Sequence, residues 1–220
     1  MQVHIHRRSI HSSHKAWGCG EEGSQGSDRG GTWRRGKGKV ILLTTSRRPT
    51  GRTRTFCNDL ERSVPNLTRI NRGKLGLDGI AEKALELDAD RVAIVNQWKG
   101  GLGKIGLFEA GASGLVPSPP LIYIRSMRLR REFGAKIKPV RSLVISTTPR
   151  DSSEIERLAE AFSKFFRIPR SSDGDVFTYE AVMRISMDAS HRTQITFVLL
   201  PQAIEVGPRI TVSHAVWGLR

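Results

Sequence analysis

From Lys39 onward the chain divides into segments with two different apolar periods. Val40-Ile41-Leu42-Leu43 runs straight into Thr44-Thr45, a short continuous apolar run that reads as a strand covered on both faces. Phe56, Leu60 and Val64 recur at every fourth position, which predicts a helix over about 51–63 that closes at Pro65. Leu67–Ile70 reads as a short strand. Leu77, Ile80, Ala81, Ala84 and Leu85 give a second helical stripe, ending at Asp88. Arg91–Gln97 reads as a buried strand, and the glycines at 100, 101 and 103 turn it into a strand over Lys104–Ala110. A Gly/Pro/Ser segment, 111–120, precedes a long strand over Leu121–Arg131 whose far end is basic. Beyond it come a strand at 142–147 and a helix at about 152–166 carrying Ile155, Leu158, Ala159, Phe162 and Phe165. Extended runs follow at about 176–187, 193–200 and 209–217.

The order repeats. Leu143-Val144-Ile145-Ser146-Thr147-Thr148-Pro149 leads to a helix ending near Ile168-Pro169, as Val40 to Thr45 leads through Pro49 to a helix ending near Val64-Pro65. Pro208-Arg209-Ile210-Thr211-Val212 is placed like Pro120-Leu121-Ile122-Tyr123-Ile124. The expectation is an internally duplicated α/β protein of two similar halves, about 39–135 and 140–218, the second lacking the helix at 77–87.

The two helix starts differ in charge. The second has acids: Ser153 with Glu156 forms a capping box, and Asp151 and Glu154 complement the helix dipole. The first has Arg47, Arg48, Arg52 and Arg54. A helix N-terminus carries about half a positive charge, so each cation there costs about 0.3–1 kcal/mol. Its exposed N–H groups suit an anion instead, and arginine adds a planar fork that fits phosphate. This placement disfavours folding and favours an arriving phosphate. Arg69, Arg72 and Lys74 extend the same block. Arg125, Arg128, Arg130 and Arg131 form a second basic group, which a basic edge strand resisting aggregation would also explain.

Overall charge agrees with a basic face on a folded body. Thirty-six Lys+Arg oppose twenty-one Asp+Glu, for a net charge of +15 in 220 residues. Residues 40–74 hold eight cations against two acids, and 111–141 seven against one, whereas 142–220 balance. Residues 1–38 are Gly- and His-rich without apolar repetition and read as a disordered basic tail. His4, His6, His11, His14 and Cys19 in that tail lack the second cysteine that a zinc finger needs. Cys19 and Cys57 alone give no disulfide framework, so a reducing compartment is expected. No apolar run approaches a membrane span, and no signal-peptide core opens the chain.

Gly101-Leu102-Gly103-Lys104-Ile105-Gly106 matches GxGxxG, but a strand follows it where a dinucleotide site needs a helix; it reads as a hairpin turn. His214 alternates with Ile210 and Val212 and reads as a core or half-buried residue, and His191 falls in a turn. Asp59 and Glu61 read as surface acids. No spacing points to catalysis, metal or cofactor, and few aromatics lie near the basic block, which speaks against a stacking platform.

Thr44-Thr45-Ser46-Arg47-Arg48-Pro49, Arg52-Thr53-Arg54-Thr55-Phe56 and Arg69-Ile70-Asn71-Arg72-Gly73-Lys74-Leu75-Gly76-Leu77 resemble the opening segment of the Brix-domain ribosome-biogenesis family. Glu205-Val206-Gly207-Pro208-Arg209-Ile210-Thr211 resembles its closing motif. The likeness covers about 39–218 and is greatest to the short archaeal form, in the small-subunit-processing branch. It implies a Brix domain over 39–220 whose halves each resemble the anticodon-binding domain of class IIa aminoacyl-tRNA synthetases. It further implies a non-catalytic RNA-binding role in pre-rRNA maturation, with rRNA, pre-rRNA or a paired guide RNA and ribosome-assembly proteins as partners. A cytoplasmic location is implied for an archaeal-type chain, nucleolar for eukaryotic relatives. By motif, Arg47, Arg48, Arg52, Arg54, Arg69 and Arg72 fall in the first segment, and Gly207, Pro208 and Arg209 in the second. Pro208 before a strand and Gly207 at a turn also suffice as structural residues. Docking onto an acidic assembly partner is the competing reading, and RNA processing by catalysis a distant third.

Overall fold

A computed structural model describes residues 39–98, 101–134, 138–148, 152–171 and 176–218, all within one compact unit, Lys37–Arg220. The tail at 1–38 lies outside the described residues. The elements are β1 (Val40–Thr45), α1 (Gly51–Ser63), β2 (Leu67–Arg69), α2 (Leu77–Glu86), β3 (Ala89–Trp98), β4 (Gly101–Gly111) and β5 (Gly114–Arg128), then β6 (Leu143–Ser146), α3 (Ser153–Phe166), β7 (Ala181–Met187), β8 (Thr193–Leu199), β9 (Ile204–Glu205) and β10 (Arg209–Val216). Short 3₁₀ turns occupy Arg130–Phe133 and Val176–Thr178.

One mixed sheet runs in the order β2-β1-β3-β4-β5-β10-β8-β7-β6, with β9 paired to β8. β1 is parallel to both β2 and β3, and β4 and β5 continue antiparallel. On the other flank β6 is parallel to β7 and touches Arg170 through a parallel bridge, and β8 and β10 continue antiparallel. β5 and β10 join the flanks, with Arg128 opposite Arg209.

Alternation assigns each strand's residues to a face. Ile41, Leu43, Ala93, Val95, Ile105, Leu107, Ile122 and Ile124 pack with α1 (Phe56, Leu60) and with α3 (Ile155, Leu158, Phe162) in the main core, which spans both flanks. Leu42, Val92 and Ile94 face the opposite way and pack with Ile80 and Ala84 of α2. Phe56 is wholly buried, so truncating it to alanine would cost about 3–5 kcal/mol.

Four local expectations are corrected. The segment 114–120 is strand, because Leu115–Ser118 pair with Leu107–Ala110. The strand expected to reach Arg131 stops at Arg128, and the chain turns into the 3₁₀ segment closed by Gly134 at φ 70°. The run at 176–187 begins with a 3₁₀ turn, so its strand starts only at Ala181. The capping box at α3 does not form. Ser152 is the cap and its side chain makes no capping bond, while Glu156 bonds Thr147 and pairs with Arg170. Glu154 and Glu156 do occupy the first turn, and Asp151 lies outside the described residues.

Candidate nucleic-acid interface

The start of α1 is held by backbone-directed bonds that leave its arginines outside. Thr50 caps the helix, its hydroxyl accepting from Thr53 N at 3.2 Å, and no acid lies in the first turn. Gln97, at the end of β3, fixes the loop. With its amide oriented to satisfy its neighbours, it donates to Arg48 O (3.1 Å) and accepts from Thr50 N (2.8 Å). Sequence reading missed Gln97, since a polar residue closing a strand carries no periodic signal.

Arg47, Arg48, Arg52 and Arg54 are all exposed. Among the described residues only Arg52 has a carboxylate within ion-pair distance, Glu132 at 3.7 Å, and its Nη2 donates to Met127 O at 2.9 Å. With the Arg52 side chain 52% exposed, that ion pair is worth at most about 1 kcal/mol. The helix start therefore keeps a cationic surface that the fold does not neutralise.

Arg72 braces this surface from the α2 side. It donates to Leu75 O (3.1 Å) and Thr45 O (3.2 Å), and its pKa is lowered by burial and then by the charge of Arg47. Arg47 in turn reaches the start of α2, where its guanidinium lies 3.8 Å from the place a Gly76 side chain would begin. Arg69 is half-buried, bonded to Asn58 (2.8 Å) and Asn71 (2.7 Å), while Glu61 accepts from its backbone N. Glu61 thus positions the segment, and Lys74 stands exposed at its tip.

The second basic group divides. Arg125 and Arg128 are exposed, with Arg128 lying 4.6 Å over the Phe133 ring and donating to Glu132 O. Arg130 does not belong to the surface, which corrects its placement among RNA-facing residues. It is 6% exposed, its backbone N donates to Asp59 Oδ2 at 2.9 Å, and Asp59 is itself buried rather than a surface acid. Burial raises the Asp59 pKa, against the pull of the Arg130 backbone bond and of the Arg130, Arg62 and Arg131 charges. Burial lowers that of Arg130, against the pull of Asp59. Ser63 links this pair to the closing motif, donating to Gly207 O at 3.1 Å. Gly207 and Pro208 are buried, and Arg209 pairs with Glu205 through two bonds, one of 2.6 Å. The closing motif sits in the joint between the flanks.

His214 is exposed, not core. The β5–β10 register shifts between Val212 and His214, which turns the histidine away from the face of Ile210 and Val212. Its ring stacks on Tyr123, with centroids 4.3 Å apart and planes 12° apart. Ninety residues of chain separate the two, so no local pattern could have paired them.

Among the described residues no His/Cys/Asp/Glu group could hold a metal ion. Burial pushes the Cys57 thiol up to about 12, which keeps it protonated and unreactive at neutral pH. No described helix is long and apolar enough to cross a membrane.

No family model matches the chain. A probable Brix domain-containing ribosomal biogenesis protein of Pyrococcus horikoshii is 34% identical over 134 residues, 57% of each chain. The match thus spans little more than half of that relative's length. A protein of the same description from Pyrobaculum aerophilum is 30% identical over 135 residues, 60% of this chain and 71% of the relative. The crystal structure of a probable ribosomal biogenesis protein from Aeropyrum pernix superposes with a TM-score of 0.67 at 25% identity, covering 81% of this chain and 99% of the other. Opening segment, closing motif, sheet and relatives agree: the chain belongs to the Brix domain-containing ribosomal biogenesis family.

Proposed function

We propose that this protein is a non-catalytic, cytoplasmic ribosome-biogenesis factor that binds pre-rRNA, or a guide RNA paired to it, during early assembly. The observation that carries this reading is the acid-free start of α1, where four exposed arginines have only one carboxylate in range among the described residues. An RNA backbone supplies the missing anions. Arg47, Arg48 and Arg54 contact phosphate, Arg52 contacts it from its tether on Met127, and Lys74, Arg125 and Arg128 extend the track. Arg69 and Arg72 act mainly by fixing the segment they brace.

We also read residues 39–220 as one Brix domain of two duplicated halves of anticodon-binding-domain type. In support, β1, β3, β4 and β5 follow the same pairing order as β6, β7, β8 and β10, and α1 and α3 pack on the same face. A second reading, docking onto an acidic assembly partner, draws on the same exposed Arg47, Arg48, Arg52 and Arg54, with exposed Leu77, Leu85 and Leu87 of and beside α2 as apolar contacts.

Crosslinking the protein to RNA in cells and sequencing the attached fragments tests the choice. Enrichment of precursor rRNA, lost when Arg47, Arg48 and Arg54 become glutamine, is expected. Crosslinks no richer in rRNA than those of a basic control protein would overturn the RNA reading in favour of the acidic partner.

A further inference from the structure

We infer that the face of the sheet carrying Tyr123 and His214 holds a second RNA contact, a stacking site for an unpaired nucleobase. The inference rests on the RNA-binding reading above and adds a site of different chemistry.

Lys104 pairs with Tyr123 across β4 and β5, and Tyr123 with His214 across β5 and β10. Lys104 shares its face of β4 with Phe108 and Ala110, which pack beneath α2. The row Lys104–Tyr123–His214 therefore lies on the α2 face of the sheet. The Lys104 ammonium sits 5.9 Å from the Tyr123 ring centroid on one side, and His214 stacks on the ring as well. A cross-strand aromatic pair stabilises a sheet, which alone would account for the two rings. Their surroundings point further. The ladder from β10 to β8 covers only Ile210 and Thr211, so at His214 the other edge of β10 has no paired strand among the described residues. The imidazole is exposed there, and Ser213 Oγ lies 3.3 Å from Nδ1, which leaves Nε2 for another partner. A third flat ring can extend the stack at this edge, where the backbone is open, while Nε2, in the plane of the imidazole, remains for a ribose or phosphate group of the same strand.

The charge fits a nucleic acid rather than an apolar peptide. Lys104 flanks the stack, and exposed Arg125 follows Tyr123 by two residues on β5. The row also leads to the arginine surface: Lys104 pairs with Asn96, next to Val95, and Val95 pairs with Thr45, whose carbonyl Arg72 holds. Four strand spacings, about 19 Å, separate β1 from β10, which carries His214. One single strand can thus lay phosphates on the α1 start and a base on the stack.

The test titrates native protein, His214→Ala, His214→Phe and Arg48→Gln with a short single-stranded oligouridylate, with the same backbone lacking its bases, and with heparin. His214→Ala is expected to weaken oligouridylate binding about fivefold or more, the loss of one stacking partner. Heparin affinity and the salt dependence should stay as native, the melting temperature should fall by no more than about 4 °C, and His214→Phe should restore binding. The base-free backbone should bind native protein and His214→Ala alike. If His214→Ala binds oligouridylate as native does while Arg48→Gln binds it less, the stacking site is refuted and the phosphate surface stands. Equal losses by His214→Ala on oligouridylate and heparin would refute it too, by making the histidine electrostatic. Failure of native protein to bind any RNA would remove both readings.

Discussion

Arg54 and Arg130 carry the same charge in similarly basic stretches, but burial gives them different work. Arg54 sits exposed in the first turn of α1, where the helix dipole opposes it, and no described carboxylate lies in ion-pair range. Arg130 is enclosed with Asp59 and Ser63. Arg54→Gln should leave the melting temperature unchanged or slightly raised, a change within about 0.5 kcal/mol. Arg130→Ala should cost about 1–3 kcal/mol in chemical denaturation, since it removes the cation facing buried Asp59 and the side chain reaching Ser63, while the backbone bond to Asp59 remains. If Arg130→Ala were as stable as native, the buried role would be wrong. Sequence could see that both residues are cations. It could not see that Leu129 and Arg130 turn inward, because that follows from the 3₁₀ turn after Arg128 and not from any apolar period. The exposure of His214 was hidden for a similar reason, a register shift in the β5–β10 ladder.

At the scale of elements, the helices were legible in the sequence, and α1 and α3 begin and end within a residue or so of where their stripes place them. Strand limits were less so. Gly114, Pro117 and Pro119 look like a loop, yet long-range pairing with β4 keeps that stretch extended. The closing motif was recognisable as residues but not as a joint. Gly207 has φ 65°, and a side chain there would begin 2.6 Å from the Phe133 ring. Its carbonyl accepts from Ser63 of α1, so the turn before β10 is locked to the first flank. Gly207→Ala should therefore destabilise the fold by about 1–3 kcal/mol, through backbone strain and the clash together. Equilibrium denaturation checks this, and RNA affinity measured well below the new midpoint should stay near native if the motif is structural. A selective loss of affinity would instead put Gly207 at the interface.

For the molecule as a whole, the main core decides how the two flanks behave. Leu43, Phe56, Phe162 and Phe197 belong to one buried cluster, and β5 and β10 close a single sheet across the middle. Neither flank buries its apolar face alone, so a fragment of residues 39–134 should be largely unfolded by circular dichroism, and the whole chain should unfold in one transition. A fragment with a native-like cooperative transition would contradict that. The alternation of strands and helices was visible in the sequence, because an apolar run and a Thr-Thr step precede α1 and again precede α3. Their fusion into one core was not, since it depends on contacts between residues more than a hundred positions apart. What distinguishes the two flanks chemically is charge: acids at the start of α3, arginines at the start of α1. The most direct test of that distinction is RNA affinity as a function of salt, for native protein and for the Arg47→Gln/Arg48→Gln/Arg54→Gln triple variant. With about six phosphates engaged on a single strand, the log–log slope should be about −4, and the variant's slope should be shallower by about 2. A native slope near zero, or the same slope in both proteins, would contradict phosphate binding at the start of α1.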